Sequence, residues 1–567
     1  MIKITSIKMP PGYKKEALEN KILKLLRIKK VKSWKILKQS LDCRKHNEIH
    51  YEIAAGVFVD NEEQIVRKLN NKNIMLTNEG KYVFPHILST DVREFLDINQ
   101  SLRPVIIGSG PAGYHAAVKL AQAGFKPIVL ERGEAVENRN RSIEEFWNSG
   151  DVDENSNVCF GEGGAGTFSD GKLNTGNKDK GGYFKEVLET FVKYGADESI
   201  LYMAKPHLGT DNLKLILVNM REDIIRLGGD IRFGELLTDI DKSKENGFYK
   251  LSVKKLLTDE VYELITPAVI LAIGHSARDT YEMLYDKGFV MEQKPFAMGV
   301  RVEHKADTIN KAMYGEDYKS LYGASLPTAD YKLIHHTESG RSVFSFCMCP
   351  GGYVVNSSTE KESICINGMS YSGRNGQNSN SAIVVNIEPA DYKDTPVAGN
   401  RRVLAGCEFQ RKLERKAFIT GKGSIPVQLY KDFADHKCSD SIGSIKPEIK
   451  GAYNLADLGN VLPEYVYEAI LDAMPAFGKR IKGYDDPDTV MSAIEARTSS
   501  PIRINRNKEF MSEGFQGIFP AGEGAGYAGG ITSAAADGIK CAEALSEYLA
   551  DRIIDEYMNY ENNRYRG

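Results

Sequence analysis

The 567-residue sequence predicts an α/β protein. The expected architecture is a Rossmann-like parallel sheet carrying a β-meander, interrupted by an inserted, mainly β domain and preceded by a small α+β domain of ferredoxin-like order. Three observations predict it. A strand, a glycine turn, a helix and a second strand follow one another within residues 104–133; a second strand, glycine turn and small-residue helix stand near the end, in GIFPAGEGAGYAGGITSAAADGI; and residues 290–490 between them contain strand-like runs but no GxGxxG. The predicted boundaries are 1–98, 99–290, 291–490 and 491–567.

Length alone favours two or three domains. With 42% apolar and 27% charged residues, the composition is that of a globular protein in water. No apolar run reaches the length of a membrane span, and the start, MIKITSIKMPPGYKK, lacks the apolar stretch of a signal peptide, so a cytoplasmic protein without a membrane partner is expected. The eight cysteines are scattered, with only Cys347 and Cys349 close together, which argues against a disulfide framework and a metal module.

Residues 1–98 read as strand, helix, two strands, helix, strand, with Leu18, Ile22, Leu25 and Leu26 at helical spacing in the first helix. The first fifty residues carry 14 Lys/Arg against 4 Asp/Glu, in a chain of net charge −3. That excess is either a solvated lysine-rich face or a docking surface for an acidic redox protein or RNA. Base-stacking aromatics there are sparse, Trp34 and Tyr51 being the obvious ones, so nucleic acid is the weaker partner.

In the unit 104–133 the apolar strand Val105, Ile106, Ile107 stops at Gly108. Gly108, Gly110 and Gly113 then supply a tight turn, close approach of a pyrophosphate, and close packing of the opening helix. Pro111 and Ala112 open that helix, whose N–H groups face the phosphates. The second strand ends at Glu131 and Arg132; the Glu131 carboxylate is expected on the adenosine ribose hydroxyls, which favours FAD or NAD. Six glycines in residues 159–176 suit backbone lying against a ligand, so Gly163, Gly164, Ala165, Gly166 and Thr167 are expected to wrap the same cofactor, with Lys172 as a nearby cation.

Residues 205–211, KPHLGTD, precede a helix expected over 212–227, with Thr210 or Asp211 as its cap and His207 as a candidate for the active site. Successive strands over 228–271 form the meander and return to the sheet at Ala272 and Gly274. In 291–490, helices are expected over 400–416 and 464–482 among strands. Cys347 and Cys349 alternate with one methionine, as buried thiols or a redox pair, a direct disulfide at that spacing being strained. Arg497 and Arg503, in EARTSSPIR, offer either an anion site or a polar turn. At the second glycine turn, the helix opening near Gly530 aims its positive end at whatever precedes it, and a reduced flavin, anionic at N1 and the C2 carbonyl, would be stabilised there.

Together GSGPAG, LERG, AIGH and PAGEGAGYAGGI resemble the two-dinucleotide-fold FAD proteins of the glutathione reductase superfamily. More narrowly, FGEGGAGTFSDGKL, KPHLGTD, CMCPGGYVV, NGMS and EARTSSPIRI resemble the family of uncharacterised FAD-dependent dehydrogenases along essentially the whole chain. The resemblance implies FAD, with Gly108, Gly110 and Gly113 on the pyrophosphate and Glu131 on the adenosine ribose. It further implies Gly522 and Glu523 on the pyrophosphate and ribityl chain, and Gly530 and Ile531 at the pyrimidine edge. Glu523 stands where the superfamily has Asp, one methylene shorter.

The expected activity is hydride transfer between an unidentified, possibly anionic, small molecule and flavin N5, with His207, Cys347 and Arg497 as catalytic candidates. Without Cys-x2-Cys or Cys-x4-Cys the familiar disulfide-reductase chemistry is disfavoured, and without a GxGxxG in residues 290–490 to mark a dedicated nicotinamide domain a reduced nicotinamide would enter only transiently. The alternatives are a flavin-dependent RNA-modifying enzyme recruited by the basic N-terminal domain, and a non-catalytic FAD-binding partner protein.

Overall fold

The computed structural model describes residues 1–564 apart from 79, 177, 178, 180 and 244–246. At the N-terminus, Ile2–Met9, Ser33–Asp42, His50–Phe58 and Ile74–Leu76 form an antiparallel sheet in the order second, third, first, fourth. The helices Lys15–Leu26 and Glu62–Leu69 link them. Leu18, Ile22 and Leu26, four residues apart, make one buried stripe on the sheet, whereas Leu25, also on the apolar stripe read from sequence, is exposed. This unit is tied to the rest of the chain by paired backbone bonds from Gln39 N to Tyr202 O and from Ala204 N to Gln39 O, at 2.7 and 2.8 Å.

The central sheet is parallel, in the order Ile518–Pro520, Val269–Leu271, Val105–Ile107, Ile128–Glu131, Asp230–Phe233. All of its strands but Asp230–Phe233 are fully buried, and apolar except for Glu131, because helices or the meander cover both faces. Of the strands expected over 228–271 to form the meander, the first stretch is divided at Gly234, which has φ 68°, so that Asp230–Phe233 joins the parallel sheet and Glu235–Lys242 starts the meander. Tyr249–Lys255 and Val261–Thr266 complete the meander.

Between these elements, a seven-stranded sheet runs Ile334–His336, Ser342–Cys349, Asn378–Ile387, Phe296–Lys305, Val490–Glu495, Ile425–Leu429, Tyr453–Leu455. The helices Ala405–Thr420 and Glu464–Gly478 pack into its core, the first five residues later than expected at its start and the second four residues shorter at its end. The hairpin-like pairing of Met291–Gln293 with Ile502–Ile504 joins this sheet to the parallel one, where the chain leaves and returns. No helix among the described residues is long and apolar enough to cross a membrane.

The helix expected over 212–227 begins earlier, as Gly209–Arg226, and neither Thr210 nor Asp211 caps it. Thr210 Oγ1 donates instead to Ser169 O at 2.9 Å, and Asp211 accepts from Ser372 N and Oγ at 2.8 and 2.6 Å. Both groups are used to fasten the glycine loop and the cap sheet to this helix, which outweighs one capping bond.

Candidate functional site

A cavity of about 740 Å³ runs from the first glycine turn, past the second, to the cap sheet. Its size suits a large cofactor. Two helices, Pro111–Ala123 and Ile531–Arg564, open onto it, and no side chain caps the first, whose N-cap is Gly110. First-turn N–H groups left without intrahelical partners are thereby aimed at the cavity, as an anionic pyrophosphate requires.

The glycines divide by what a Cβ would meet. At Gly113 it would lie 1.9 Å from Gly108 O, and at Gly108, with φ 100°, 2.4 Å from Ala272 O; these two are fixed by packing. At Gly110, Gly274, Gly529 and Gly530 it would meet no protein atom within 4 Å, since these positions border the open cavity. This is a cradle shaped for a ligand's approach rather than for a neighbouring side chain, and FAD fits it.

Of the residues expected to hold the cofactor, Gly108, Gly110, Pro111, Ala112, Glu131 and Arg132 line the first half of the cavity. Gly164, Ala165, Gly166, Ala272, Gly274, Glu523, Gly530 and Ile531 line the remainder. Gly113, Gly163, Thr167 and Gly522 stand behind the wall as supports. Thr167 Oγ1 donates to Glu162 O at 2.9 Å, and Gly522 N donates to the Asp537 carboxylate at 2.8 Å.

Glu131 differs in detail from the expectation. Its carboxylate already accepts from Ser109 N and Oγ, both at 2.9 Å, and from Gly133 N and Gly161 N, both at 3.0 Å. It therefore organises the glycine turn and the glycine loop as well as facing the cavity. Arg132 is held by Asp279 at 2.8 Å and lies over the Phe160 ring.

Of the three catalytic candidates, Arg497 and Cys347 border the cavity and His207 does not. His207 Nε2 contacts Ser372 O at 3.1 Å, and burial lowers the pKa of this ring. Arg497 borders the cavity, but its guanidinium is not a free anion receptor. It is paired with Glu414 through Nε and Nη2, both at 2.7 Å, and with Thr359 at 2.6 Å. Arg278 grips the same Glu414 from the other side, at 2.8 and 2.9 Å, and also reaches Glu360 at 3.1 Å, so two carboxylates balance the two buried guanidiniums. Arg503 pairs with Glu292 at 2.8 Å away from this network. Cys347 does reach the cavity wall, beside Phe346, Asn367 and Glu495.

Lys172 lines the cavity as expected, yet its ammonium is paired with Asp170 at 3.0 Å and donates to Met348 O. Asp170 is itself gripped by Arg374 and Ser370, and these cations hold its carboxyl well below the usual range despite burial. At the second turn, Glu523 lies 3.6 Å from His275 Nδ1. Burial pushes the Glu523 pKa up to about 7 and lowers that of His275 to about 4, so at neutral pH this contact is not an ion pair.

Three supports were not legible in advance. Arg139, fully buried, donates to the carbonyls of Asn157, Val158, Glu162 and Gly164, and so shapes the loop ahead of Gly164–Phe168. Glu162 accepts from Tyr114 Oη, Val136 N and Arg221 at 2.6 to 2.8 Å. Arg506 and Asp537 pair at 2.6 Å and fix the turn at Gly522. The available signal was a charged residue in an apolar pattern, as for Glu414 between Phe409, Leu413 and Ala417 on the buried face of its helix.

Family comparison agrees with the cofactor. Residues 295–498 match a model described as the FAD-dependent protein, C-terminal domain-like family, and residues 103–142 an FAD binding domain; residues 1–58 match a domain of unknown function. Among solved structures the likenesses are distant. Escherichia coli quinol fumarate reductase FrdA gives a TM-score of 0.35 at 12% identity, covering 80% of this chain and 70% of that one. A glycerol-3-phosphate dehydrogenase from Bacillus halodurans, complexed with FAD, gives 0.34 at 10% identity, covering 81% and 68%. An uncharacterized protein of Clostridium beijerinckii is 41% identical over 556 residues, 96% of this chain and 98% of that one. FAD is the cofactor, and the chain belongs, with the Clostridium protein, to a family of FAD-dependent proteins.

Proposed function

We propose that the protein is an oxidoreductase that moves a hydride between a small-molecule donor and flavin N5, the electrons then passing to a second acceptor. The observation that supports this most is the continuity of the cavity. It extends beyond the two helix N-termini to a wall of cap residues, Phe346, Cys347, Asn367 and Glu495, which leaves room for a substrate beside the ring. When bound, FAD supplies the two-electron chemistry. The chain's own part is to bind and exclude water: glycine turns and helix ends receive the pyrophosphate, Glu131 holds the ribose-side loops in register, and the cap sheet covers the reacting end. Glu523, its carboxyl pKa pushed up to about 7 by burial, lines the cavity as a group that can hold a proton toward the ligand.

The division into domains at 98, 290 and 490, with a ferredoxin-like N-terminal module, belongs to the same reading. The lysine-rich face of that module is suited to an acidic redox protein as the second electron carrier, with Lys15 lying over Trp34 at 5.5 Å. Cytoplasmic location accords with the thiol-rich, disulfide-free chain.

The test is anaerobic titration of the purified holoprotein with NADH, NADPH and a panel of amino-acid, hydroxy-acid and unsaturated-acid donors, followed by flavin absorbance. Bleaching by one of them is expected and identifies the donor. A protein that takes up FAD but is reduced by none of them, and functions equally after FAD removal, would make it a non-catalytic binding protein. Co-purification of nucleic acid with steeply salt-dependent affinity would favour an RNA substrate instead.

A further inference from the structure

The strand Ser342–Cys349 pairs regularly with Asn378–Ile387 as far as Phe346, breaks register, and pairs again at Cys349. Cys347 lies in that break with φ 43°, a left-handed conformation that a side chain with a Cβ rarely adopts. In a regular strand, residues two apart have Cα atoms about 6.6 Å apart, at the outer limit for a disulfide. The register break lies between Phe346 and Cys349 and so takes in Cys347, and the Cys349 thiol donates to Cys347 O at 3.3 Å.

The two thiols are unequal. Cys347 borders the cavity, while Cys349 is fully buried behind it, and neither is in a disulfide. Cations surround the pair: the Lys172 ammonium is on Met348 O, the residue between them, and Arg301 donates to Cys347 O at 3.1 Å. Asp170 and Glu495 balance these cations, paired with Lys172 and Arg301 respectively. The hydrogen bond from Cys349, with Lys172 and Arg301, holds the Cys347 thiol below the ordinary range against the effect of burial. Cys349 moves the opposite way, through its bond to Cys347 and through burial. An accessible thiolate backed by a buried thiol is the arrangement of a reactive cysteine and its resolving partner.

We propose that Cys347 and Cys349 form a redox-active dithiol that exchanges an electron pair with the flavin of this cavity. In the oxidising direction one S–S bond forms, the sulfur-bound protons of Cys347 and Cys349 are lost, and two electrons pass to oxidised flavin; one proton accompanies them and any other leaves to water in the cavity. The reverse step takes the electron pair from reduced flavin, breaks the S–S bond and returns the protons. The pair thus gives the site a second two-electron store beside the cofactor. This inference rests on the flavin oxidoreductase reading.

The experiment is an anaerobic dithionite titration of the holoprotein after mild oxidation with diamide and removal of the reagent, together with peptide mapping after iodoacetamide. For the unsubstituted protein, two electron pairs per flavin are expected before reduction is complete. The peptide holding both cysteines should lose two hydrogens on oxidation and resist alkylation. Cys349→Ser and Cys347→Ser should each take one electron pair with flavin absorbance retained. Uptake of a single pair by the unsubstituted protein, with both cysteines alkylated after oxidation, overturns the proposal even where a variant fails to fold. A preparation without flavin absorbance counts against the oxidoreductase reading, and peptide mapping still decides whether the disulfide forms.

Discussion

The two ends of the cavity are built by opposite means. At the end beside the first glycine turn, backbone predominates: Gly108 to Gly113 turn the chain, helix N–H groups face inward, and the buried Glu131 carboxylate accepts from three backbone N–H groups and the Ser109 hydroxyl. At the cap end, charged side chains from distant segments meet, as Arg278, Glu414 and Arg497 do, or Arg301 and Glu495, or Lys172, Asp170 and Arg374. The first end depends on local sequence. The second depends on which strands and helices the fold brings together, and its cost is desolvation that only complete pairing offsets.

Removing a partner from the cap end should therefore do the greatest damage. Glu414→Ala leaves two guanidiniums buried without their carboxylate, and a loss of about 3–5 kcal/mol is expected in denaturant unfolding. A change under about 1 kcal/mol would mean that Arg278 and Arg497 find other partners. At the first glycine turn the contrast between glycines is the test. Gly113→Ala puts a methyl group against Gly108 O and should cost about 1–3 kcal/mol as well as FAD. Gly110→Ala, entering open space, should change stability by no more than about 0.5 kcal/mol while weakening FAD, measured by fluorescence titration.

Glu131→Ala orphans buried donors at Ser109, Gly133 and Gly161, so its FAD affinity should fall by about tenfold or more. Unchanged affinity would remove the ribose role and leave only the scaffolding one. The smallest effect is expected from pH at Glu523. Its folded pKa is raised from 4.5 to about 7, so the native state holds the proton more tightly than the unfolded one. The protonated form's contribution is present at low pH and is lost as pH rises from about 4.5 through 7. FAD binding should weaken several-fold over the upper part of that window, as a carboxylate forms beside an anionic ligand, and Glu523→Gln should abolish the dependence.

What the sequence determined by itself is the cofactor unit. Strand, glycines, helix, strand and acid act within one short segment, so their order already implies the turn, the helix end and the position of Glu131. The second glycine turn and its small-residue helix are legible for the same reason, Gly538 lying where a Cβ would meet Ala112 O at 2.1 Å. The tertiary structure alone decided the fates of His207 and Arg497. Nothing within EARTSSPIR reveals that Arg497 meets a carboxylate 83 residues earlier in the chain, or within KPHLGTD that His207 is turned from the cavity. Ion-pair partners are chosen by long-range packing, because a buried charge accepts whichever counter-charge the fold delivers, and that choice leaves no local pattern to read.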